Sequence, residues 1–205
     1  VGWPIVLSTL VGSTNLVRET TDEETALVFR VIKGGYRMSA LSAASGWVLI
    51  ANLPPAERKA TLALIERAPE AEFRELARKK TLINKMLGEV QRDGCCLRSR
   101  GVMRQTISAV PILAPSMAAS AGGYCLRSRD EIRQTIIAVP IHTPSGTPLA
   151  ALSLRFFSTA MSQAEALSRY LAPLQETARK IGAAYEARQL GASGAVPTIA
   201  SSHAA

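Results

Sequence analysis

Gly94–Ile112 reads GCCLRSRGVMRQTISAVPI, and Gly123–Ile141, 29 residues further on, reads GYCLRSRDEIRQTIIAVPI. Fourteen of the 19 aligned positions are identical, which identifies a duplicated segment. Two copies are too few for a solenoid, which needs about three or more repeats to bury a core. The residues downstream of each copy tell the two apart. The second runs into HTPSGTPLAALSLRFF, a turn rich in Pro, Ser and Gly and then a strand pattern. The first runs into LAPSMAASAG, which has no strand pattern. The second copy is therefore predicted to supply the strand Thr135–His142, a turn at Thr143–Thr147 and the partner strand Leu149–Phe157. The first strand after the preceding helix is open between Cys95–Leu97 and Tyr124–Leu126. In either case much of Gly101–Gly122 is expected to bulge from the domain or pack at an edge.

Alternation along Leu149–Phe157 sets Ala151, Ser153 and Arg155 on one face and Leu152, Leu154 and Phe156 on the other. Upstream, Trp3–Thr9 and Asn15–Glu19 read as a hairpin around Gly12-Ser13-Thr14. Thr25–Ile32 reads as a third strand, stopped by Gly34-Gly35. Ser39–Ala51 is small and apolar, and its length and Ala content favour a buried helix. Gly46 inside it is at odds with that unless a neighbour approaches closely. Pro54-Pro55 opens a short helix. One longer helix then carries Phe73, Leu76, Ile83, Leu87 and Val90, and stops at Asp93-Gly94. Ser162 and Glu165 form a capping box for a closing helix with an apolar stripe from Leu167 to Tyr185. From Gly191 to the end the composition reads as a disordered tail. The pattern is an α+β domain on a mostly antiparallel sheet.

At 205 residues the chain can bury a real core. Its net charge of +8 permits an anionic partner, but the basic residues are scattered and aromatics are only 5%, so no base-stacking platform is visible. No apolar run reaches membrane-span length. The three cysteines fit a reducing compartment, and no cluster of metal ligands or phosphate-binding loop is present. A Cys125/His142 nucleophilic pair is conceivable but lacks an orienting group. His142 reads as a surface turn residue and Asp22-Glu23-Glu24 as a solvated loop. Ser153, Arg155 and Arg127, beneath a helix start of small residues such as Ala44 and Ser45, could form a pocket for a carboxylate. The bland alternative has both arginines exposed and Ser153 as filler. A basic nucleic-acid module and a small cysteine enzyme are the competing readings.

Three segments carry a family resemblance: GYRMSALSAASGWVLIANLPPAER, GYCLRSRDEIRQTIIAVPI and PLAALSLRFFSTAMSQAEALSRYLAPLQETARKI. In that order they resemble the effector-binding domain of IclR-type transcriptional regulators. WPIVLSTL and NLVRETTDEETALVF resemble the branch that responds to hydroxyphenylpropionate and related aromatic acids. The resemblance implies a GAF-like domain over 1–190, with about 95–122 as a duplicated insertion and 191–205 as tail. It implies a homodimer or homotetramer, no cofactor, no enzyme activity, no membrane and a cytoplasmic location. It also implies DNA contact only through an N-terminal winged helix-turn-helix that this stretch does not contain. The effector would be a small organic acid, aromatic or dicarboxylic. By motif, the ligand positions are Leu27 and Arg30, Met38, Ala44 and Ser45, Arg127, Gln134 and Ile136, and Ser153 and Arg155. Ser39 and Trp47 depart from the family pattern, and Arg127 and Arg155 would make the pocket unusually cationic.

Overall fold

In the computed structural model the described residues are 2–28, 31–100 and 134–193, with the side chains at 99, 100 and 191–193 left aside. Among these residues six strands form one antiparallel sheet: β1 (Ile5–Val11), β2 (Thr14–Thr20), β3 (Arg37–Ser39), β4 (Cys96–Arg100), β5 (Gln134–His142) and β6 (Pro148–Phe157). Their spatial order is β3-β2-β1-β6-β5-β4. Among the described residues five α-helices complete the α+β fold: α1 (Ala44–Asn52), α2 (Pro55–Ile65), α3 (Ala71–Arg78), α4 (Lys80–Asp93) and α5 (Gln163–Ser193).

The two halves of the sheet meet at β1 and β6, where Val6 faces Ser153 and Ser8 faces Ala151. Strand side chains alternate, so this register sorts the sheet into two faces. Ala138 and Ala151 lie under α1 with Leu41, Trp47, Val48 and Ile50. Ile137, Val139, Leu152, Leu154 and Phe156 lie on the opposite face, under α5. Apart from the buried Thr135 opposite Phe156, the β5 and β6 part of the second face is aliphatic and aromatic, and burying each such apolar side chain contributes about 2 kcal/mol. The first face carries smaller and polar residues, among them Ala138, Ala151, Ser8 and Ser153.

Gly46 makes possible a close approach of α1 to the turn that precedes it. A Cβ there would stand 2.0 Å from the carbonyl oxygen of Ala40, in the 3-10 turn Ala40–Ser42 that leads into α1. The glycine that weakens the helix pattern is the neighbour-contact case, not a break.

The second copy of the duplicated segment forms β5, as the turn and strand after it predict. Burial supplies a further reason. Ile137 is fully buried against α5, and the matching residue of the first copy is Ser108. Seating Ser108 there would leave a cavity and bury a hydroxyl. The open choice for the preceding strand falls to the first copy, since β4 is Cys96–Arg100. The strand pair is therefore hybrid, and 101–133 connects its halves. Residues 101–133 lie outside the described residues, so the alternative strand Tyr124–Leu126 and the bulge of Gly101–Gly122 do too.

Three expectations need correction. Thr25–Ile32 is no strand among its described residues; Asp22–Glu24 is a 3-10 turn and the third strand is Arg37–Ser39. Part of the cause is that the Ile32 N–H donates to Asp22 Oδ2 at 2.7 Å instead of to a ladder. The single long helix is two, broken at Lys79. Ala77 and Ile83 are both fully buried. Six residues at about 100° each would set them about 120° apart on a straight helix, so the break turns both inward. On α5 the stripe ends at Ile181, and Tyr185 is exposed because the helix has run past the end of β5. The Ser162 half of the capping box forms, with the Glu165 N–H donating to Ser162 Oγ at 3.2 Å, and the helix continues to Ser193.

Candidate functional site

The face beneath α1 carries a band of buried polar groups. Asn15 on β2, Ser8 on β1, and Ser153 and Arg155 on β6 are each at least 95% buried. Asn15 Nδ2 donates to Ser45 Oγ at 3.0 Å, tying the first turn of α1 to the sheet. Ser153 Oγ donates to the Val6 carbonyl at 3.2 Å. Three buried polar atoms in this band have no protein partner: Ser8 Oγ, Asn15 Oδ1 and Arg155 Nε. Leaving a buried polar atom unpaired costs about 1–3 kcal/mol. The residue before α1, Ala43, provides no side-chain cap, so the first amides of the helix have no capping side chain.

Arg155 does not act as a free cation. Its guanidinium is ion-paired with Asp22, and both side chains are almost fully buried. Asp22 also accepts from Thr20 Oγ1 at 2.5 Å and from the Ile32 N–H at 2.7 Å. Burial pushes the Asp22 carboxyl upward, but the hydrogen bonds from Arg155, Thr20 and Ile32 and the charge of Arg155 outweigh it. The net direction is below the usual carboxylate range. The reading of Asp22-Glu23-Glu24 as a solvated loop is therefore wrong for Asp22, whose partner lies 133 residues away. Of the two arginines expected to make the pocket cationic, Arg155 is neutralised by Asp22, and Arg127 lies outside the described residues.

The second cation of the face is Arg98. It stands opposite Ile136, which in turn stands opposite Arg155, so Arg98, Ile136 and Arg155 form one row across β4, β5 and β6. Arg98 Nη1 donates to the Leu41 carbonyl at 3.2 Å, and its guanidinium lies 5.0 Å from the Trp47 ring centroid, a cation–π distance. Trp47 Nε1 donates to the same carbonyl at 2.9 Å. Arg98 and Asn15 thus reach opposite sides of the chain at 41–45. Among the described residues no carboxylate pairs with Arg98.

Of the positions carried over by resemblance, Ala44, Ser45, Ile136, Ser153 and Arg155 come together under α1. Gln134 begins β5 on the same face, opposite Phe157 and Arg100. Met38 shares the face of Asn15, its register partner, at the far end of the sheet. There it lines a cleft of about 240 Å³ with Ser13, Arg37 and Pro69. Leu27 is 40% exposed on the irregular segment after Asp22, with its Cδ1 beside Gly2, and is not part of the group. Arg30 and Arg127 lie outside the described residues, as does Cys125. Arg98, the first-copy counterpart of Arg127, holds the place in the sheet. Sequence reasoning missed Asp22, Asn15 and Ser8. Ser8 was within reach, because it alternates with Val6 along β1. Asn15 was a weaker signal, as a residue type depleted in strands.

A second depression, about 630 Å³, borders β4 where the described sheet ends. Trp47, Met86, Val90 and Arg98 line it on one side, and Cys95, Leu97, Leu167 and Leu171 on the other. Burial raises both thiols, that of Cys96 to about 12, so neither is an activated nucleophile. Among the described residues no group of three side chains could hold a metal ion, and no helix is long and apolar enough to cross a membrane. His142 is half-buried at the end of β5, not a surface turn residue.

No family model and no curated protein matches the chain. Solved structures do. A transcriptional regulator from Rhodococcus sp. RHA1 matches with a TM-score of 0.57 and 22% identity, over 88% of this chain and 60% of its own. The Thermotoga maritima IclR matches with a TM-score of 0.58 and 18% identity, over 88% of this chain and 62% of its own. A double mutant of the inducer-binding domain of Acinetobacter PobR, in complex with 3-hydroxybenzoic acid, matches with a TM-score of 0.55 and 18% identity. That match covers 88% of this chain and 87% of the PobR domain. At these identities the likeness establishes the fold. The chain has the GAF-like fold of the effector-binding domains of IclR-type transcriptional regulators. It spans under two thirds of the Rhodococcus and Thermotoga proteins.

Proposed function

We propose that this chain is the small-molecule-sensing domain of a transcriptional regulator, and that its effector seats between the sheet and the first turn of α1. The observation that carries this is the set of unpartnered buried atoms there. Asn15 Oδ1 is an acceptor, Arg155 Nε a donor, and Ser8 Oγ can be either. Their complement is a molecule offering both a hydroxyl and a carboxylate. The uncapped start of α1 and the Arg98 guanidinium both favour the carboxylate. Because Asp22 already neutralises Arg155, a hydroxylated monocarboxylic acid fits this set better than a dicarboxylic acid. The ring of an aromatic acid would lie against Ile136 and the small residues Ala44 and Ala138. The 3-hydroxybenzoic acid in the PobR complex is of this class.

Occupancy would shift the population of subunit arrangements in a homodimer or homotetramer, and so the spacing of DNA-binding domains outside this chain. The hydroxyphenylpropionate-type branch and a place in aromatic acid breakdown in the cytoplasm belong to the same proposal. A thermal-shift screen with benzoate, its three hydroxy isomers, 3-hydroxyphenylpropionate and succinate tests it. A ligand of the folded state raises Tm by mass action. Hydroxylated aromatic acids are expected to raise it, and benzoate and succinate less. No response to any of the aromatic acids refutes the proposal.

A further inference from the structure

Asp22 is a carboxylate of the chain's own that already occupies one end of the buried polar band. Its Oδ1 accepts from Arg155 Nη2 and Thr20 Oγ1, and its Oδ2 accepts from the Ile32 N–H at 2.7 Å. Arg155 Nε, on the same guanidinium, has no partner among the described residues. Arg155 thus has an N–H left to donate but no charge left to neutralise. At the other end of the row, Arg98 stands opposite Ile136 and Ile136 opposite Arg155. Neighbouring strands lie about 4.8 Å apart, so the two arginines are about 10 Å apart at the backbone.

Building on the effector site proposed above, we propose that Asp22 is its specificity-determining residue. It holds the place that a second ligand carboxylate would take, so the Arg155 end accepts a hydroxyl and rejects an anion. A ring lying over Ile136 turns its carboxylate toward Arg98 and its second substituent toward Arg155. A hydroxyl there accepts from Arg155 Nε and leaves the ion pair whole. A carboxylate there would set two negative charges on one buried guanidinium, where like charges repel with little screening. Such a ligand enters only by displacing Asp22, which Thr20 and Ile32 also hold. Displacement breaks the bond to the Ile32 N–H and frees the chain just before Gly34-Gly35 and β3. Asp22 therefore separates two classes of acid by affinity, and by what each does to the approach to the sheet edge.

3-Hydroxybenzoate and isophthalate differ only in the group at position 3, so their affinity ratio reads this end of the site. Both are titrated by calorimetry into the chain and into Asp22→Asn, which frees the Arg155 charge at nearly constant size. The chain is expected to favour 3-hydroxybenzoate by at least about tenfold, the scale of one charged hydrogen bond. Asp22→Asn should shift the ratio at least about tenfold toward isophthalate, whereas loss of a merely structural Asp22 would weaken both acids alike. If Asp22→Asn does not fold alone, isophthalate and not 3-hydroxybenzoate should restore its circular dichroism spectrum by mass action. Isophthalate forced onto the chain at high concentration should speed hydrogen exchange of the Ile32 amide, and 3-hydroxybenzoate should not. An unchanged ratio, an unfolded variant that isophthalate does not restore, or isophthalate bound with Ile32 still protected overturns the proposal. Each of these leaves the effector site standing if 3-hydroxybenzoate binds the chain. Binding of neither acid to either protein overturns both.

Discussion

Arg155 and Asp22 form a buried ion pair that ties the centre of the sheet to the turn after β2. Breaking one half of such a pair leaves an uncompensated charge, which costs roughly 3–5 kcal/mol. Asp22→Asn is therefore expected to lower stability by about that much in urea unfolding. Replacing both partners, as Asp22→Leu with Arg155→Met, should cost much less, since two desolvation penalties are removed together. A double variant as unstable as Asp22→Asn would show that the pair is not the source of the loss.

The same pair sets a pH dependence. Unfolded, Asp22 titrates near its ordinary 3.8; folded, its carboxyl is held lower. The folded state thus binds fewer protons in acid than the unfolded one. The stabilisation is complete above the unfolded value and is lost as pH falls through the depressed folded one. Urea midpoints measured from about pH 5 to pH 2 should fall with acid, and Asp22→Asn should flatten that fall.

Gly46→Ala and Gly182→Ala should both destabilise, although Gly→Ala inside a helix ordinarily gains about 1 kcal/mol. The added Cβ would meet Ala40 O at 2.0 Å in one case and His142 O at 1.8 Å in the other. Both obstacles are backbone atoms. Circular dichroism melts should show losses of several degrees. A rise in Tm for either would mean that α1 or α5 sits further from its neighbour.

Ile137→Ser puts the first copy's residue into the second copy's strand. It removes a fully buried side chain and buries a hydroxyl, at about 3 kcal/mol or more. Combined with Ser108→Ile, it should move β5 to the first copy and recover part of that loss. Unfolding curves of the single and paired variants make the comparison.

Local patterns were legible in the sequence wherever a local cause sets the structure. The β5–β6 hairpin came from alternation flanking a turn with Pro144 and Gly146, and the start of α5 from Ser162 and Glu165. The apparent strand at Thr25–Ile32 misled because its alternation is local, whereas Asp22 holds that segment through a side chain. Asp22 read as solvated because its partner is 133 residues off, and no local pattern encodes such a pair. Arg127 and Arg98 were indistinguishable because their surroundings are the same four letters, Leu-Arg-Ser-Arg. Only the register of β4 with β5 separates them.

The most direct test of the effector site is a calorimetric titration of the chain, of Asn15→Ala, and of Arg98→Ala combined with Arg127→Ala, the matching arginine of the second copy, with the hydroxylated aromatic acid that raises Tm most. Losing one hydrogen bond to the ligand costs about 1–1.5 kcal/mol, or roughly tenfold in affinity, and losing a charged one more. The account expects at least tenfold weaker binding in both variants, with their folds intact. Unchanged affinity in both would place the ligand elsewhere and contradict a site beneath α1.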